Sequence, residues 1–419
     1  MDAFDKIIGY QSIKKELAIL ADMMRNRDKY TKLGVTMPRG ILLYGDPGVG
    51  KTLMANCLIE ASRRKVYTIR KDIPDGDFVK AIQETFEQAR KNAPSIVFLD
   101  DLDKFSDDDS YDSNAEEFVT VQSCIDESLT VDIFVIATAN NRRVLPRSLV
   151  REGRLGRKYE VESPKGKDAI AIIQHFLSKK ECVVEVNAED VAKMLNGDSC
   201  ARLEAVINEA GIFAASQNKD KIDMDDLMRA IQRIKFDAPE SDDDANWESL
   251  RRTAYHEAGH TVVAEVLAEG STSMVSILAH DGCTRGITDY YQDETYWEDM
   301  TNMENRVLGI LGGKAATEVV FGKVDVGANR DLHRAFDIVE RFVDNYCAAS
   351  FDSFIRGDSG DEVKNRKDNR IAEEMNKYYA QAKRILIENR AFLDAVAEAL
   401  LEKKILVASD ILHIKDEIK

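Results

Sequence analysis

The 419-residue chain has no long uninterrupted run of apolar residues. A helix that crosses a bilayer needs about 18 or more mostly apolar residues in succession, so the sequence predicts no transmembrane segment. Residues 1–5 are partly acidic and have no apolar stretch, so they do not resemble a signal peptide. We expect a cytoplasmic location for the chain as given, or membrane association if an amino-terminal anchor has been left out.

Positive charges are outnumbered by negative ones, and cysteines are few. The 58 Lys and Arg residues stand against 75 Asp and Glu, for a net charge of −17, which argues against a nucleic-acid partner because such a partner requires a basic face. The six cysteines include no closely spaced pair, so they indicate reduced thiols rather than disulfides or a cysteine metal site. A hydrophobic content of 44% at this length predicts two or three domains with cores of their own.

Histidine is rare as well, yet two of the six histidines lie four residues apart in the segment 255–260. A helix turns by about 100° per residue, so His256 and His260 project from one face and can bind one Zn²⁺ ion. Glu257 then lies beside the open metal position, where it can take a proton from the attacking water. Apolar residues at helical spacing over 247–267 predict that helix. The pattern indicates a zinc peptidase.

A catalytic zinc ion usually has three protein ligands, and this motif supplies two. Asp331 is our candidate for the third ligand, because it opens a segment, 331–339, with apolar residues at helical spacing. The helix dipole also favours aspartate at a helix start, and spacing alone favours that simpler explanation. The weaker candidates are His333, His280 and Glu318.

A second motif, residues 45–52, matches the phosphate-loop pattern between a predicted strand, 41–44, and a helix that begins at Leu53. Backbone N–H groups of such a loop surround the β- and γ-phosphates, Lys51 adds positive charge, and the Thr52 hydroxyl binds Mg²⁺. Strand, loop and helix follow in the required order, so the segment predicts a nucleotide site. Its candidate residues are Asp46, Pro47, Gly48, Val49, Gly50, Lys51, Thr52 and Leu53.

Two further predicted strands end in polar residues. Residues 96–99 lead into Asp100 and Asp101, which can hold the magnesium shell and orient water. Residues 133–138 lead to Asn140, which can contact the γ-phosphate or the attacking water, since ligands of open α/β sheets bind at the carboxyl ends of strands. Each run alone is also explained as a core strand with a polar end. Together with the phosphate loop they predict a nucleotide hydrolase.

Loop signals and composition divide the chain into four parts. Residues 1–163 alternate strands and helices, which predicts a large α/β domain with a parallel sheet covered on both faces. Residues 164–237 predict a small helical domain, and residues 238–247 an acidic linker. Residues 248–419 predict a mainly α-helical zinc metallopeptidase domain.

These motifs, in this order, resemble the FtsH family of ATP-dependent zinc metalloproteases, AAA+ ATPases fused to a peptidase, over nearly the whole chain. The resemblance also rests on the pair Ile8-Gly9 and on the segments 151–157, 197–210, 312–322 and 329–331. It implies Zn²⁺, ATP and Mg²⁺ as cofactors and polypeptides as substrates. It also implies that Asp331 is the third zinc ligand.

The resemblance extends to contacts between subunits. Ile8 and Gly9 match landmarks of the family's nucleotide site, and Arg154 and Arg157 match its arginine fingers. Such fingers reach the nucleotide of a neighbouring subunit, which implies a ring, usually a homohexamer.

Within the peptidase domain, residues 274–278 and 286–288 predict a short hairpin. By the same resemblance its edge strand pairs with an extended substrate, although the hairpin is equally well explained as a cover for the zinc helix.

Some features depart from the family pattern. The family has Asp-Glu where this chain has Asp100-Asp101, so the water-orienting carboxylate is one methylene shorter and we expect slower hydrolysis. The family's aromatic-hydrophobic-glycine loop, which grips substrate in a central pore, is not recognisable in the region of Ile73 and Phe78. The family's transmembrane segments are not recognisable either.

We therefore predict an ATP-dependent zinc metalloendopeptidase that couples ATP hydrolysis to proteolysis of protein substrates. Two alternatives remain open from the sequence. One is an ATP-independent zinc peptidase that acts on unfolded chains, and the other is a nucleotide-gated scaffold with a slow ATPase.

Overall fold

The structure, a computed structural model, describes residues 2–71, 75–106, 115–180, 183–235, 246–278, 286–291, 299–323, 327–346 and 361–418. Internal contacts divide the chain into two compact units, Met1–Val184 with Leu195–Glu209, and Glu185–Met194 with Ala210–Lys419. The predicted helical domain, 164–237, therefore contributes residues to both units. Most of the predicted linker, 238–247, lies outside the described residues, and the domain boundaries stay a prediction.

A five-stranded parallel sheet forms the centre of the first unit, as the alternation of strands and helices predicted. Its strand order is β2-β3-β4-β1-β5. Every residue of β3 and β4 is buried, so both faces of the sheet are covered, as expected for parallel strands that are apolar throughout. The strands are β1 (Gly40–Tyr44), β2 (Lys65–Ile69), β3 (Ser95–Leu99), β4 (Ile133–Ala139) and β5 (Arg157–Glu160).

The order of the central strands determines where the nucleotide motifs meet. The phosphate loop follows β1, the carboxylates Asp100 and Asp101 follow β3, and Asn140 follows β4. β4 pairs with β3 on one side and with β1 on the other, in parallel register. The three strands therefore end at the same edge of the sheet, and their polar residues converge there.

Fifteen α-helices are present among the described residues. The first six belong to the first unit, the seventh and the last seven to the second, and the eighth has residues in both. They are α1 (Gln11–Arg25), α2 (Arg27–Thr31), α3 (Lys51–Ser62), α4 (Asp75–Lys91), α5 (Glu116–Glu127), α6 (Gly166–Ser178), α7 (Ala188–Met194), α8 (Cys200–Ser216), α9 (Met224–Lys235), α10 (Trp247–Leu267), α11 (Met300–Phe321), α12 (Asn329–Asp344), α13 (Asp361–Glu388), α14 (Arg390–Lys403) and α15 (Ala408–Ile418).

Phe78, on α4, belongs to the core of the first unit. Its side chain is 1% exposed and packs edge-to-face on Phe105, with ring centroids 4.9 Å apart. A side chain in this position cannot grip a substrate, so Phe78 is not the missing pore residue. Ile73 lies outside the described residues.

The second unit is mainly helical, as predicted, and contains a small antiparallel sheet. The sheet has the order β10-β8-β9, so β9 is an edge strand and β8 is central. β8 and β9 are the predicted pair of strands. Further along the chain, β10 provides the third strand, which the sequence analysis did not predict. The strands are β8 (Thr272–Ser276), β9 (Ile287–Tyr290) and β10 (Ile405–Val407). Two short strands precede them along the chain: β6 (Val183–Glu185), which has residues in both units, and β7 (Lys221–Asp223).

Helices α10 and α11 approach each other closely through glycines. A Cβ atom placed on Gly259 would lie 2.4 Å from the carbonyl oxygen of Gly312, and one on Gly312 would lie 2.4 Å from the carbonyl oxygen of Gly259. Neither residue can therefore carry a side chain at this helix separation. The close approach brings the backbone of α11 against the histidines of α10.

Among the described helices, none is both long enough and apolar enough to pass through a bilayer.

Candidate active sites

The predicted zinc ligands meet in the second unit. His256 and His260 lie one turn apart on α10, and their Nε2 atoms are 3.1 Å apart. The Oδ2 atom of Asp331, on α12, lies 3.1 Å from Nε2 of His256 and 3.4 Å from Nε2 of His260. Ligand atoms about 2.0–2.1 Å from a tetrahedral zinc ion are separated from one another by about 3.3 Å. The three residues therefore have the spacing that zinc requires.

The surroundings of His260 determine which of its ring nitrogens faces the proposed metal position between His256, His260 and Asp331. Its Nδ1 atom lies 2.8 Å from the carbonyl oxygen of Gly309 on α11. A carbonyl oxygen only accepts hydrogen bonds, so Nδ1 carries a hydrogen, and Nε2 is the nitrogen that would bind a metal ion here. Such a partner on the far nitrogen orients a metal-binding histidine. The short distance between α10 and α11 makes this contact available.

The electrostatics of the site favour a cation between the imidazoles and the carboxylate. Burial is the largest influence on the pKa of His260 and would lower it, but the hydrogen bond with Asp331, the charges of Asp331 and Glu257 and the Gly309 carbonyl together raise that pKa to about 9. Burial likewise opposes the charged form of Asp331, yet its hydrogen bonds with both histidines hold its pKa below the usual range. An arrangement that stabilises a proton here also stabilises a metal cation.

Glu257 lies next to His256 on α10 and is 6% exposed. Its carboxylate accepts a hydrogen bond from the Thr288 hydroxyl of β9 at 2.7 Å. The helical spacing thus places a carboxylate beside the ligand pair, as the sequence predicted, while its hydroxyl partner could not be predicted because β9 is distant along the chain.

The other candidates for the third ligand lie elsewhere. His333 is exposed on α12, two residues beyond Asp331, and residues two apart on a helix do not share a face. Glu318, on α11, accepts hydrogen bonds from Lys383 and Tyr379 of α13, and the Lys383 contact lowers its pKa. His280 lies outside the described residues.

The phosphate loop joins β1 to α3, as predicted. Gly48 and Gly50 have φ values of 80° and 100°, in the left-handed region that glycine adopts at least cost. The Lys51 ammonium group donates hydrogen bonds to the carbonyl oxygens of Gly45 and Asp46 at 2.8 and 2.7 Å and to Oδ1 of Asn140 at 2.8 Å. Burial lowers the pKa of Lys51. The structure thus brings Lys51 and Asn140 together.

Asp100 lies at the centre of the same sheet edge. The carboxylate is 2% exposed and accepts hydrogen bonds from the hydroxyls of Thr52 at 3.1 Å and Thr138 at 2.8 Å. Arg70, which follows β2, forms an ion pair with its other oxygen. Burial opposes the charged form of Asp100, but the Arg70 hydrogen bond and the others hold its pKa below the usual value. Thr52 and Asp100, the two predicted magnesium ligands, are therefore in direct contact.

Asp101 has an unusual backbone and a basic partner. Its φ and ψ are 55° and 51°, the left-handed region, which aspartate tolerates better than most residues. Lys104 donates a hydrogen bond to its carboxylate at 2.8 Å. Nearby, Asp103 accepts hydrogen bonds from the backbone N–H groups of Asn140 and Asn141, each at 3.1 Å. Asp103 therefore holds the loop that carries Asn140.

Sequence reasoning missed Arg70, Lys104 and Asp103. Arg70 could have been predicted to lie near the nucleotide site, because it follows β2, whose carboxyl end lies at the same sheet edge as the phosphate loop. Lys104 and Asp103 lie within four residues of the predicted carboxylates, but the left-handed turn at Asp101 determines where their side chains point.

The remaining predicted nucleotide residues have different surroundings. Ile8 and Gly9 are partly exposed and precede Tyr10, whose hydroxyl lies 3.6 Å from Sγ of Cys200. That sulfur contacts the Val49 carbonyl oxygen at 3.6 Å, so this segment lies close to the phosphate loop. Leu53 is 45% exposed at the start of α3. Asp46 and Pro47 are both exposed in the loop itself.

The two candidate arginine fingers differ in accessibility. Arg154 is 8% exposed, forms an ion pair with Asp126 of α5 and donates to the Gln122 side chain and the Ser148 carbonyl oxygen. Arg157, in β5, is only partly buried. In the described subunit, Arg157 is therefore the more accessible of the two.

Comparison with known proteins agrees with both sites. Residues 41–163 match the model of the ATPase family associated with various cellular activities (AAA), and residues 245–414 match that of peptidase family M41. ATP-dependent zinc metalloprotease FtsH 3 of Symbiobacterium thermophilum is 30% identical over 99% of this chain and 71% of its own length. FtsH 2 of Thermoanaerobacter sp. is 29% identical, with 99% and 83% covered.

FtsH of Bacillus subtilis shows the same extent of similarity, at 28% identity over 99% of this chain and 70% of its own length. The similarity thus runs continuously through the phosphate loop and the histidine pair instead of stopping at one of them. Because one family accounts for both sites and for their order, the chain belongs to the FtsH family of ATP-dependent zinc metalloproteases.

Proposed function

We propose that this protein binds and hydrolyses ATP with Mg²⁺ and degrades polypeptides at a zinc centre formed by His256, His260 and Asp331. The spacing of 3.1 to 3.4 Å among the three ligand atoms carries the proposal, with Glu257 adjacent. The relatives' printed names, ATP-dependent zinc metalloprotease, support it. These names favour coupled proteolysis over an ATP-independent peptidase or a scaffold.

In the peptidase site, each residue has a distinct task. The two imidazoles and the Asp331 carboxylate hold the metal, which when bound polarises the substrate and lowers the pKa of water. Glu257 takes the proton of the attacking water and delivers it to the leaving amine. Among the described strands, β9 lies at the edge of its sheet beside this site, so the side away from β8 can pair with the backbone of an extended substrate.

In the ATPase site, Lys51 and the loop N–H groups bind the phosphates, and Thr52 and Asp100 hold the Mg²⁺ shell. Asp101 orients the attacking water, and Asn140 contacts the γ-phosphate or that water. The hydrogen bonds between Thr52 and Asp100 and between Lys51 and Asn140 support these assignments, because they place the four side chains at one sheet edge.

The assembly and the location belong to the same proposal. We propose a homohexameric ring in which Arg157, Arg154 or both act on the nucleotide of a neighbouring subunit, supported by the match to the family's arginine fingers. We also propose that residues 1–237 form the ATPase part and residues 248–419 the peptidase part. The proposed location is cytoplasmic, with membrane association if an anchor precedes these residues.

A cleavage assay with casein separates these functions. The protein is incubated with Mg²⁺ and ATP, with Mg²⁺ and ADP, and with ATP plus a zinc chelator. We expect cleavage that is fastest with ATP and abolished by the chelator. Equal rates with ATP and ADP would instead identify an ATP-independent peptidase, and ATP hydrolysis without cleavage would identify a scaffold.

Variants of the zinc site complete the test. Glu257→Gln should retain zinc, measured by elemental analysis, and lose cleavage, because the ligands remain and the base is gone. Asp331→Ala should lower zinc occupancy, whereas His333→Ala, at an exposed position on the same helix, should keep it. Full zinc in Asp331→Ala would overturn the assignment of the third ligand.

A further inference from the structure

Glu257 is contacted by Thr288 of β9 and by Gly286, the residue that precedes β9. The Thr288 hydroxyl lies 2.7 Å from Oε2 of Glu257 and 3.4 Å from the Glu257 carbonyl oxygen, so the carboxylate is its principal acceptor. Thirty-one residues separate the two partners in the chain. The contact is therefore a product of tertiary structure and not of the helical motif.

Gly286 forms the second contact. A Cβ atom placed on Gly286 would lie 2.5 Å from Oε1 of Glu257 and 2.8 Å from its Cδ atom. Such distances leave no room for a side chain, so the backbone of Gly286 is itself packed against the carboxylate. In an extended chain, residues two apart point to the same side. Gly286 and Thr288 consequently approach the carboxylate together.

The sheet holds β9 in this place. Val275 of β8 is in register with Thr288, and Ser276 with Ile287. Every residue of β8 is buried, and β8 pairs on its other side with β10. A central, buried strand therefore fixes the position of Thr288 along α10, the helix that carries His256 and His260.

The two oxygens of Glu257 have different surroundings as a result. Oε2 accepts the hydrogen bond from Thr288. Oε1 has no hydrogen-bond partner within the part of the chain that the structure describes. The side chain is thus held by one oxygen, while the other is available to a molecule in the site.

We infer that Thr288 and Gly286 position the Glu257 carboxylate, so that Oε1 faces the attacking water. A glutamate side chain has three rotatable bonds, and ordering it costs conformational entropy. The hydroxyl and the glycine surface select one arrangement before substrate binds, and catalytic groups lose roughly a hundredfold in rate when misplaced by about 1 Å. Thr288 and Gly286 are positioning residues, which act through Glu257. This inference rests on the proposed peptidase function.

The chain offers a matched control on the same glutamate. Thr261, on α10, is buried, and its hydroxyl donates to the backbone carbonyl oxygen of Glu257 at 2.9 Å. Thr288→Val and Thr261→Val each remove one hydroxyl that contacts Glu257 and keep the side-chain shape. They differ in whether that hydroxyl contacts the carboxylate or the main chain.

The experiment compares Thr288→Val, Thr288→Ser and Thr261→Val in the full chain loaded with zinc. We expect Thr288→Val to keep the zinc content and the KM for a fluorogenic peptide while kcat falls about 10- to 100-fold. Thr288→Ser should recover most of the rate, because it restores the donor. Thr261→Val should stay within about twofold of the wild type, since the carboxylate keeps its partner.

Two further measurements do not depend on peptidase activity. Crystal structures of the metal-free Thr288→Val and Thr261→Val proteins should show a displaced Glu257 carboxylate in the first only. Gly286→Ala should displace it as well, because the new methyl group takes the place of Oε1. A normal kcat in Thr288→Val, an equally low kcat in Thr288→Ser, or an unmoved carboxylate would overturn the inference. If wild-type protein cleaves no peptide, the proposed function fails, and the crystal structures still decide whether Thr288 positions Glu257.

Discussion

Arg154 and Asp126 form a two-point ion pair, in which Nε of Arg154 lies 3.0 Å from Oδ1 and Nη2 lies 2.6 Å from Oδ2 of Asp126. Arg154 is almost fully buried, whereas the Asp126 side chain is 45% exposed. An arginine that is bound within its own subunit would have to leave these partners before it could reach a neighbouring nucleotide. The pair therefore gives the two candidate fingers different expected phenotypes.

Arg154→Ala should lower the free energy of unfolding by about 1–2 kcal/mol, since it removes a bidentate pair that is only partly screened by solvent. Arg157→Ala should leave stability nearly unchanged and reduce ATP hydrolysis while nucleotide affinity persists. Urea denaturation and ATP turnover measure the two effects. Mixed rings of Arg157→Ala and Lys51→Ala subunits should recover some turnover, and no recovery in rings shown to be mixed would exclude action across the interface.

The stability lost in Arg154→Ala should depend on pH. The hydrogen bond from Arg154 lowers the pKa of Asp126 in the folded protein below its ordinary value. A group with a depressed folded pKa contributes stability above its unfolded pKa, about 3.9, and loses that contribution as the pH falls through the folded value. The difference between wild type and Arg154→Ala should thus be constant near neutral pH and shrink in acid. A difference that grows in acid would contradict this pairing.

Arg70→Ala should shift the Mg²⁺ dependence of nucleotide binding. Arg70 and Mg²⁺ are both cations that the buried Asp100 carboxylate can bind, so removing the arginine should lower the Mg²⁺ concentration required. A titration of Mg²⁺ at a fixed concentration of a fluorescent ATP analogue measures the shift, with Lys80→Ala, at an exposed position on α4, as the control. An unchanged or higher Mg²⁺ requirement would show that the two cations do not compete.

Asp101→Glu should accelerate ATP hydrolysis, by up to about a hundredfold, because it restores the reach of the water-orienting carboxylate. The left-handed backbone at Asp101 tolerates glutamate less well, so a stability loss of up to about 1 kcal/mol should accompany the gain. Steady-state ATP turnover and thermal unfolding test the two parts. A slower variant of normal stability would indicate that the active geometry is built around aspartate.

Two glycines of α11 provide a matched pair of substitutions that test the close contact between α10 and α11. Gly312→Ala should destabilise the protein by roughly 1–3 kcal/mol, because the added Cβ would lie 2.4 Å from backbone. Gly309→Ala, where the nearest atoms are 3.8 and 3.9 Å away, should be neutral or gain up to about 1 kcal/mol of helix propensity. Denaturant titration compares them, and equal stabilities would mean that α10 and α11 can separate.

Local patterns in the sequence were sufficient to predict the two chemistries and the family. The spacing of His256 and His260 follows from the helical repeat, and the phosphate loop follows from a short strand, glycines and a helix start. Both are local, so no knowledge of the fold was required. The parallel sheet was predictable for the same reason, because strands buried on both faces are apolar throughout.

Only the tertiary structure decided how distant residues combine. It brought Asp331, 75 residues from His256, next to the two histidines, it placed Thr288 and Gly286 on Glu257, and it paired Arg70 with Asp100. It also buried Phe78, whose aromatic character alone was compatible with gripping substrate. Contacts of this kind depend on strand order and helix separation, and the close approach of α10 and α11 requires Gly259 and Gly312, from distant segments, to meet. Such meetings leave no periodic signal in a single sequence.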